Sequence, residues 1–184
     1  IVNAAGPWAV SFLDRLADTL NPNAMRMVKG SHFVVPKLYD TDEAYILQNK
    51  EGRIVFVIPY EDDFSLVGTT DENYEGNPSD ATISGAETDY LIDIVNSYFK
   101  TKISTDDIVH SYSGVRPLLE EANASAQELA RDYKVELVGE KSEPILLNIF
   151  GGKITTYRKL AEHAVDKLVT CFPKAGKAWT QRVP

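Results

Sequence analysis

The chain has 184 residues, 43% of them hydrophobic and 25% charged, enough for one good core or for one domain plus segments of another. Its formal net charge of −8 repels polyanions, so no nucleic-acid partner is expected, and a small anionic substrate would need a local basic pocket. Cys171 is the single cysteine, which excludes an internal disulfide, a thiolate metal cluster and a CxxC redox pair and fits a reducing, cytoplasmic compartment.

Residues 1 to 20 run from a short apolar stretch through Ala5-Gly6-Pro7 into Trp8, Val10, Phe12, Leu13 and Leu16, which predicts a strand, a tight glycine turn and an amphipathic helix. The start, Ile1-Val2-Asn3-Ala4-Ala5-Gly6, carries no basic flank of a signal peptide and is expected to be a cut through a larger protein. From His32 to Thr70 the pattern changes to short β-rich runs, 32–35, 44–47, 53–58 and 64–69, separated by polar breaks at 49–52 and 61–63, and predicts an antiparallel meander. Ser84-Gly85-Ala86-Glu87 reads as a capping box, and Leu91, Ile94, Val95 and Tyr98 recur behind it at the spacing of a helix of about four turns. Three further β-like runs follow, 108–115, 133–138 and 145–150, with a polar, exposed loop between the first two. The last leads through Gly151-Gly152 into a helix with Tyr157, Leu160, Ala161, Ala164 and Leu168 on one face. Two β-Gly-α units bracketing an antiparallel sheet predict an α+β chain in which one domain is inserted into another. The crossings are expected near Met25 and Ser104, which gives segments 1–25, 26–104, 105–171 and a loose end, 172–184.

Four places could carry chemistry. Phe150-Gly151-Gly152-Lys153-Ile154-Thr155 ends a strand in two glycines and opens a helix, so backbone can approach a ligand and unpaired N–H groups meet an anion, with Lys153 and Thr155 as added donors. An ordinary helix entry with solvated basic residues would look the same. Arg116, in Ser113-Gly114-Val115-Arg116-Pro117, is held extended by the proline and suits a phosphate or carboxylate, or a structural ion pair. His32, in Lys29-Gly30-Ser31-His32, stands at a strand start as a general base or a structural histidine. Arg131 is an anion ligand or the partner of its neighbour Asp132. The carboxylates Asp62, Asp63, Asp71 and Glu72 sit at turns without metal-ligand spacing, so no metal is expected. His110 and His163 read as non-catalytic, and Tyr90, Tyr98 and Phe99 as a helix packing face.

Taken in order, Asn3-Ala4-Ala5-Gly6-Pro7-Trp8, Lys29-Gly30-Ser31-His32, Gly68-Thr69-Thr70-Asp71, Tyr112-Ser113-Gly114-Val115-Arg116-Pro117-Leu118 and Phe150-Gly151-Gly152-Lys153 through Ala161-Glu162-His163 resemble the flavin-dependent, respiratory glycerol-3-phosphate dehydrogenases. The resemblance spans most of the chain. It implies an antiparallel substrate domain bracketed by β-α segments of an FAD-binding domain of the glutathione-reductase and D-amino-acid-oxidase type. It also implies oxidation of sn-glycerol 3-phosphate to dihydroxyacetone phosphate, with FAD as cofactor and a membrane quinone as acceptor. Carried over by position, His32 becomes the general base or hydroxyl partner, Arg116 a substrate ligand and Arg131 a second phosphate ligand. Lys153 and Thr155 then meet substrate and flavin, and Ala5, Gly6, Gly151, Gly152 and Ile154 line the cofactor. The family's N-terminal GxGxxG turn is absent, so this piece by itself is expected to bind FAD poorly and to be inactive without the remaining FAD-domain segment of its parent. A parent peripheral on the cytoplasmic face of the inner membrane and a homodimer are further implications. The rival readings are a glycerophosphate oxidase that uses O2 and a non-enzymatic phosphoester-binding module.

Overall fold

A computed structural model describes residues 1–15, 25–49, 52–119, 132–139, 144–172 and 174–183. In chain order the elements are β1 (Val2–Asn3), α1 (Ala9–Leu13), β2 (Met25–Pro36), β3 (Tyr45–Gln48), β4 (Ile54–Tyr60), β5 (Phe64–Gly68), β6 (Glu72–Asn73), α2 (Gly85–Tyr98), β7 (His110–Leu119), β8 (Tyr133–Val138), β9 (Leu146–Gly151) and α3 (Tyr157–Val169). Two compact units result, one of Ile1–Met27 with Arg116–Pro184 and one of Val28–Val115.

The 28–115 unit is an antiparallel sheet backed by one helix. Its described strands run β3-β4-β5-β2-β6, with β7 also pairing β2. Strand alternation decides which residues are inside. On β4, Val55 and Val57 are buried while Ile54, Phe56, Ile58 and Tyr60 face outward. The inward set, with Phe33, Val35, Leu47 and Val67, packs against Leu91, Ile94 and Val95 of α2. Each such buried aliphatic or aromatic side chain contributes roughly 1.5–3 kcal/mol. The helix starts at the expected capping box: Ser84 Oγ accepts from the Glu87 N–H at 3.3 Å, and the Glu87 carboxylate accepts from the Ser84 N–H at 2.8 Å.

The 1–27 and 116–184 unit is a three-stranded sheet, β1-β9-β8, with helices on both faces. Ala9 and Leu13 of α1 meet Leu146 and Phe150 on one side. On the other, Ala164 of α3 meets Val135 and Leu147. β1 lies parallel to β9, with Asn3 opposite Asn148, and β9 antiparallel to β8.

Several elements differ from the sequence reading. β2 begins seven residues before the expected strand at 32, since Met25 starts it. Lys29 and Ser31 break the apolar alternation yet are buried in a polar network, so the strand runs through them. β3, β4 and β5 form the expected meander, but β2 closes on β5, the last strand, and leaves β3 at the edge. The return crossing lies at Arg116, not near Ser104, because the start of β7 is held on β2 by Val109 N–H donating to Val34 C=O at 2.9 Å. The C-terminal stretch is tied to α3, where Arg158 Nη1 donates to Thr180 Oγ1 at 3.1 Å, and is not a loose end. Leu16 and the polar loop at 120–131 lie outside the described residues.

Candidate functional site

The parallel pairing of β1 and β9 sends both strands out of the sheet at the same end, where α/β ligands usually bind. The first exit is the turn Ala5-Gly6-Pro7 with Gly6 at φ 54°, followed by a 3₁₀ turn (Gly6–Trp8) and α1. It is fastened from below by Asn3, whose Nδ2 donates to Ala9 O and to Asn148 Oδ1, both at 3.0 Å. Asn3 and Asn148 are 3% and 1% exposed, so the bond between the two amides is made away from water.

The second exit is Gly151-Gly152, with φ of 73° and 98°. A Cβ on Gly151 would lie 2.5 Å from Asp132 O, and one on Gly152 would lie 2.7 Å from Leu160 Cδ1. Both glycines therefore serve the close packing of their own chain, and only glycine fits. The sharp turn they make delivers Lys153, Ile154 and Thr155, all exposed, to a 3₁₀ turn (Ile154–Thr156) that opens α3. Ile154 is 85% exposed and Tyr157 67%, an apolar surface of the kind a flat aromatic ligand would cover. A Cβ on Gly6 would meet nothing within 4 Å. Two glycine turns beside two helix entries, with open apolar side chains, fit a flavin cofactor. Ala5, Gly6, Gly151, Gly152, Lys153, Ile154 and Thr155, the residues expected from the sequence to line the cofactor, all lie at these two turns.

In the 28–115 unit, His32 lies on the sheet face opposite α2. Its register partner on β5 is Gly68, and Gly68 in turn faces Phe56 on β4. The imidazole stacks on Tyr112 of β7, with centroids 5.0 Å apart and planes 9° from parallel. His110 extends the row, its ring centroid 6.5 Å from that of Tyr112.

Beneath this face the alternate residues of β2 converge on one carboxylate. Glu87 is 4% exposed. Its oxygens lie 2.8 Å from Lys29 Nζ and accept from Ser31 Oγ at 2.8 Å, Thr70 Oγ1 at 2.7 Å and Ser84 Oγ at 2.8 Å. Burial by itself pushes the Glu87 carboxyl up; the hydrogen bonds from Lys29, Ser84, Thr70 and Ser31 outweigh it and hold the group at about 2. Lys29 also donates to Thr82 O at 2.8 Å. Lys29 and Ser31 of the Lys-Gly-Ser-His motif are thus structural, and His32 lies on the other face of the strand.

Arg116 is in β7 and belongs to the unit that also holds Lys153 and Thr155. Arg131 lies outside the described residues. His163 is exposed on α3 with its ring 5.8 Å from Tyr133, and Glu72 sits in β6, 3.6 Å from Arg53. Of the expected helix packing face, Tyr90 and Phe99 pack against the core, and Tyr98 is 54% exposed with its hydroxyl on Gln48 O. Sequence reading missed Glu87 as a hub and Gly68 and Tyr112 as neighbours of His32. A lysine amid apolar strand residues was the available sign that a buried carboxylate must exist. The described residues contain no group of three or more His, Cys, Asp or Glu placed to hold a metal.

A profile of the FAD dependent oxidoreductase family matches residues 1–158. The chain is 47% identical over its whole length to a glycerol-3-phosphate dehydrogenase of Pseudomonas aeruginosa. It is 48% identical over 98% of its length to the aerobic glycerol-3-phosphate dehydrogenase of Escherichia coli K12. A D-erythritol 1-phosphate dehydrogenase of Brucella abortus is 45% identical over the whole chain. In each case the chain spans about a third of the relative, 36% of its length. The crystal structure of the glycerol-3-phosphate dehydrogenase from Bacillus halodurans complexed with FAD superposes with a TM-score of 0.78 at 30% identity, covering 98% of this chain and 33% of that one.

Proposed function

Because the chain belongs to the FAD-dependent oxidoreductase family, we propose that it is the substrate-side portion of a flavoenzyme that oxidises the secondary hydroxyl of a polyol phosphate, with sn-glycerol 3-phosphate as substrate and dihydroxyacetone phosphate as product. The observation that carries this reading is the His32 imidazole, set on the sheet face away from α2 against Gly68 and Tyr112. FAD, when bound, supplies the acceptor for the hydride from C2. His32 takes the proton of the C2 hydroxyl as the carbonyl forms. Arg116 and Arg131 hold the phosphate dianion, for which a planar guanidinium is the suited donor. Lys153 and Thr155 would meet the flavin ring and the substrate, with Lys153 supplying a cation beside them. The rest of the parent chain supplies the dinucleotide-binding turn, so residues 1–184 by themselves are inactive. Electrons pass on to a quinone, with the parent peripheral on the cytoplasmic face of the inner membrane and working as a homodimer.

A second substrate has support from the 45% identity to a D-erythritol 1-phosphate dehydrogenase. The experiment is an anaerobic absorbance spectrum of the full-length flavoprotein containing this chain, before and after sn-glycerol 3-phosphate or D-erythritol 1-phosphate. Bleaching by the first at far lower concentration supports the reading. Bleaching by the second alone moves the substrate assignment, and no bleaching by either with FAD bound refutes it. Reoxidation by a soluble quinone, compared with peroxide formation in air, separates the dehydrogenase from an oxidase.

A further inference from the structure

We propose that Gly68 and Tyr112 clamp His32 from the strands on either side of β2 and fix its ring plane, so that Tyr112 is a positioning residue for the proton transfer. The proposal rests on the reading of His32 given above. Residues 32–36 of β2 pair with β5 along one edge, so β7, which also pairs β2, occupies the other. Gly68 stands opposite His32 on the first. A Cβ there would lie 2.1 Å from His32 Cδ2, 2.6 Å from Cγ and 2.8 Å from Nε2. The imidazole occupies the space a side chain would fill. Gly68 is required for that space, because its φ lies outside the left-handed region.

On the second edge the Tyr112 ring lies 5.0 Å from the imidazole and within 9° of parallel. Tyr112 is 46% exposed, so core packing does not explain an aromatic ring at this position. Its offset from His32 is set by two contacts that bracket the pair. One is the Val109 N–H to Val34 C=O bond at 2.9 Å. The other is the 2.8 Å contact between Ser31 Oγ and Ser113 Oγ. Ser31 spends its one hydroxyl proton on Glu87 Oε1, so Ser113 donates and Ser31 accepts. Glu87 therefore anchors both strands beneath the clamp. A histidine without such neighbours on a sheet face would sample several rotamers. A base that must take a hydroxyl proton needs its nitrogen held to within about 0.5 Å.

The test compares Tyr112→Leu and Tyr112→Phe in the full-length flavoprotein with sn-glycerol 3-phosphate, and reads the His32 ring protons by NMR in ¹³C-histidine-labelled protein without substrate. Tyr112→Leu is expected to lower kcat by roughly 10- to 100-fold with KM changed less than about 3-fold, since misplacing a reacting group by 1 Å costs about that much. Tyr112→Phe is expected to keep kcat within about 3-fold, because the ring face is retained. The upfield ring-current shift of the His32 protons should persist in Tyr112→Phe and vanish in Tyr112→Leu. Wild-type kcat in Tyr112→Leu, a change in KM alone, or an unmoved His32 resonance overturns the clamp. If Tyr112→Leu is normal while His32→Asn is inactive, the clamp fails and the assignment of His32 stands. If His32→Asn turns over normally, both fall.

Discussion

Replacing Glu87 by glutamine keeps the shape of the side chain and removes the charge on which β2, α2 and the turn before β6 converge. The carboxyl is held at about 2 against an ordinary value of 4.5, and a shift of one unit corresponds to 1.36 kcal/mol. The depressed value means that the stabilisation is fully present above the unfolded value and is lost as pH falls through the folded one. The linkage gives about 3 kcal/mol at pH 7, about half of that at pH 3 and little near pH 2. Because Glu87 is 4% exposed, solvent screening takes little away, and the variant also leaves Lys29 with an uncompensated buried charge. Urea unfolding of wild type and Glu87→Gln, followed by fluorescence at pH 7 and pH 3, measures both consequences. The variant should be less stable by roughly 3 kcal/mol at pH 7, and the gap should close by about half at pH 3. A gap of under 1 kcal/mol at pH 7, or one that does not narrow on acidification, would refute the claim that this carboxylate is ionised and hydrogen-bonded in the folded state.

Gly151→Ala forces a Cβ to 2.5 Å from Asp132 O at φ 73°; it should cost roughly 1–3 kcal/mol and weaken FAD retention in the full-length protein, measured by flavin release on dilution. Asn3→Ala strips the bonds to Ala9 O and Asn148 Oδ1. It should lower stability by about 1–3 kcal/mol, whereas the same change at the exposed Asn77 should cost less in a thermal melt. Arg116→Ala in the full-length enzyme should raise KM for sn-glycerol 3-phosphate at least about 10-fold, and it should leave KM for glycerol, which has no phosphate, unchanged in steady-state assays.

Much of this organisation was legible in the sequence because it follows from local rules. The alternation of Val55 and Val57 with Ile54, Phe56 and Ile58 specifies a strand with two distinct faces. Ser84 and Glu87 specify a helix start, and Gly6 and Gly151-Gly152 specify chain reversals that other residues resist. The place of His32 in a strand left it as a general base or a structural histidine, and the family resemblance made it a site candidate. What the tertiary structure decided are the partnerships across sequence distance. Glu87 satisfies its capping role locally, and nothing in its neighbourhood announces that Lys29, Ser31 and Thr70 also close on it. Gly68 looks like an ordinary strand end until register places His32 across from it. Tyr112 becomes the companion of that imidazole only because β7 pairs with β2. Local propensity acts over a few residues, whereas register and burial are set by which strands meet. That is why the motif Lys29-Gly30-Ser31-His32 could be read as important but not divided into two structural residues facing a buried carboxylate and a histidine on the opposite face.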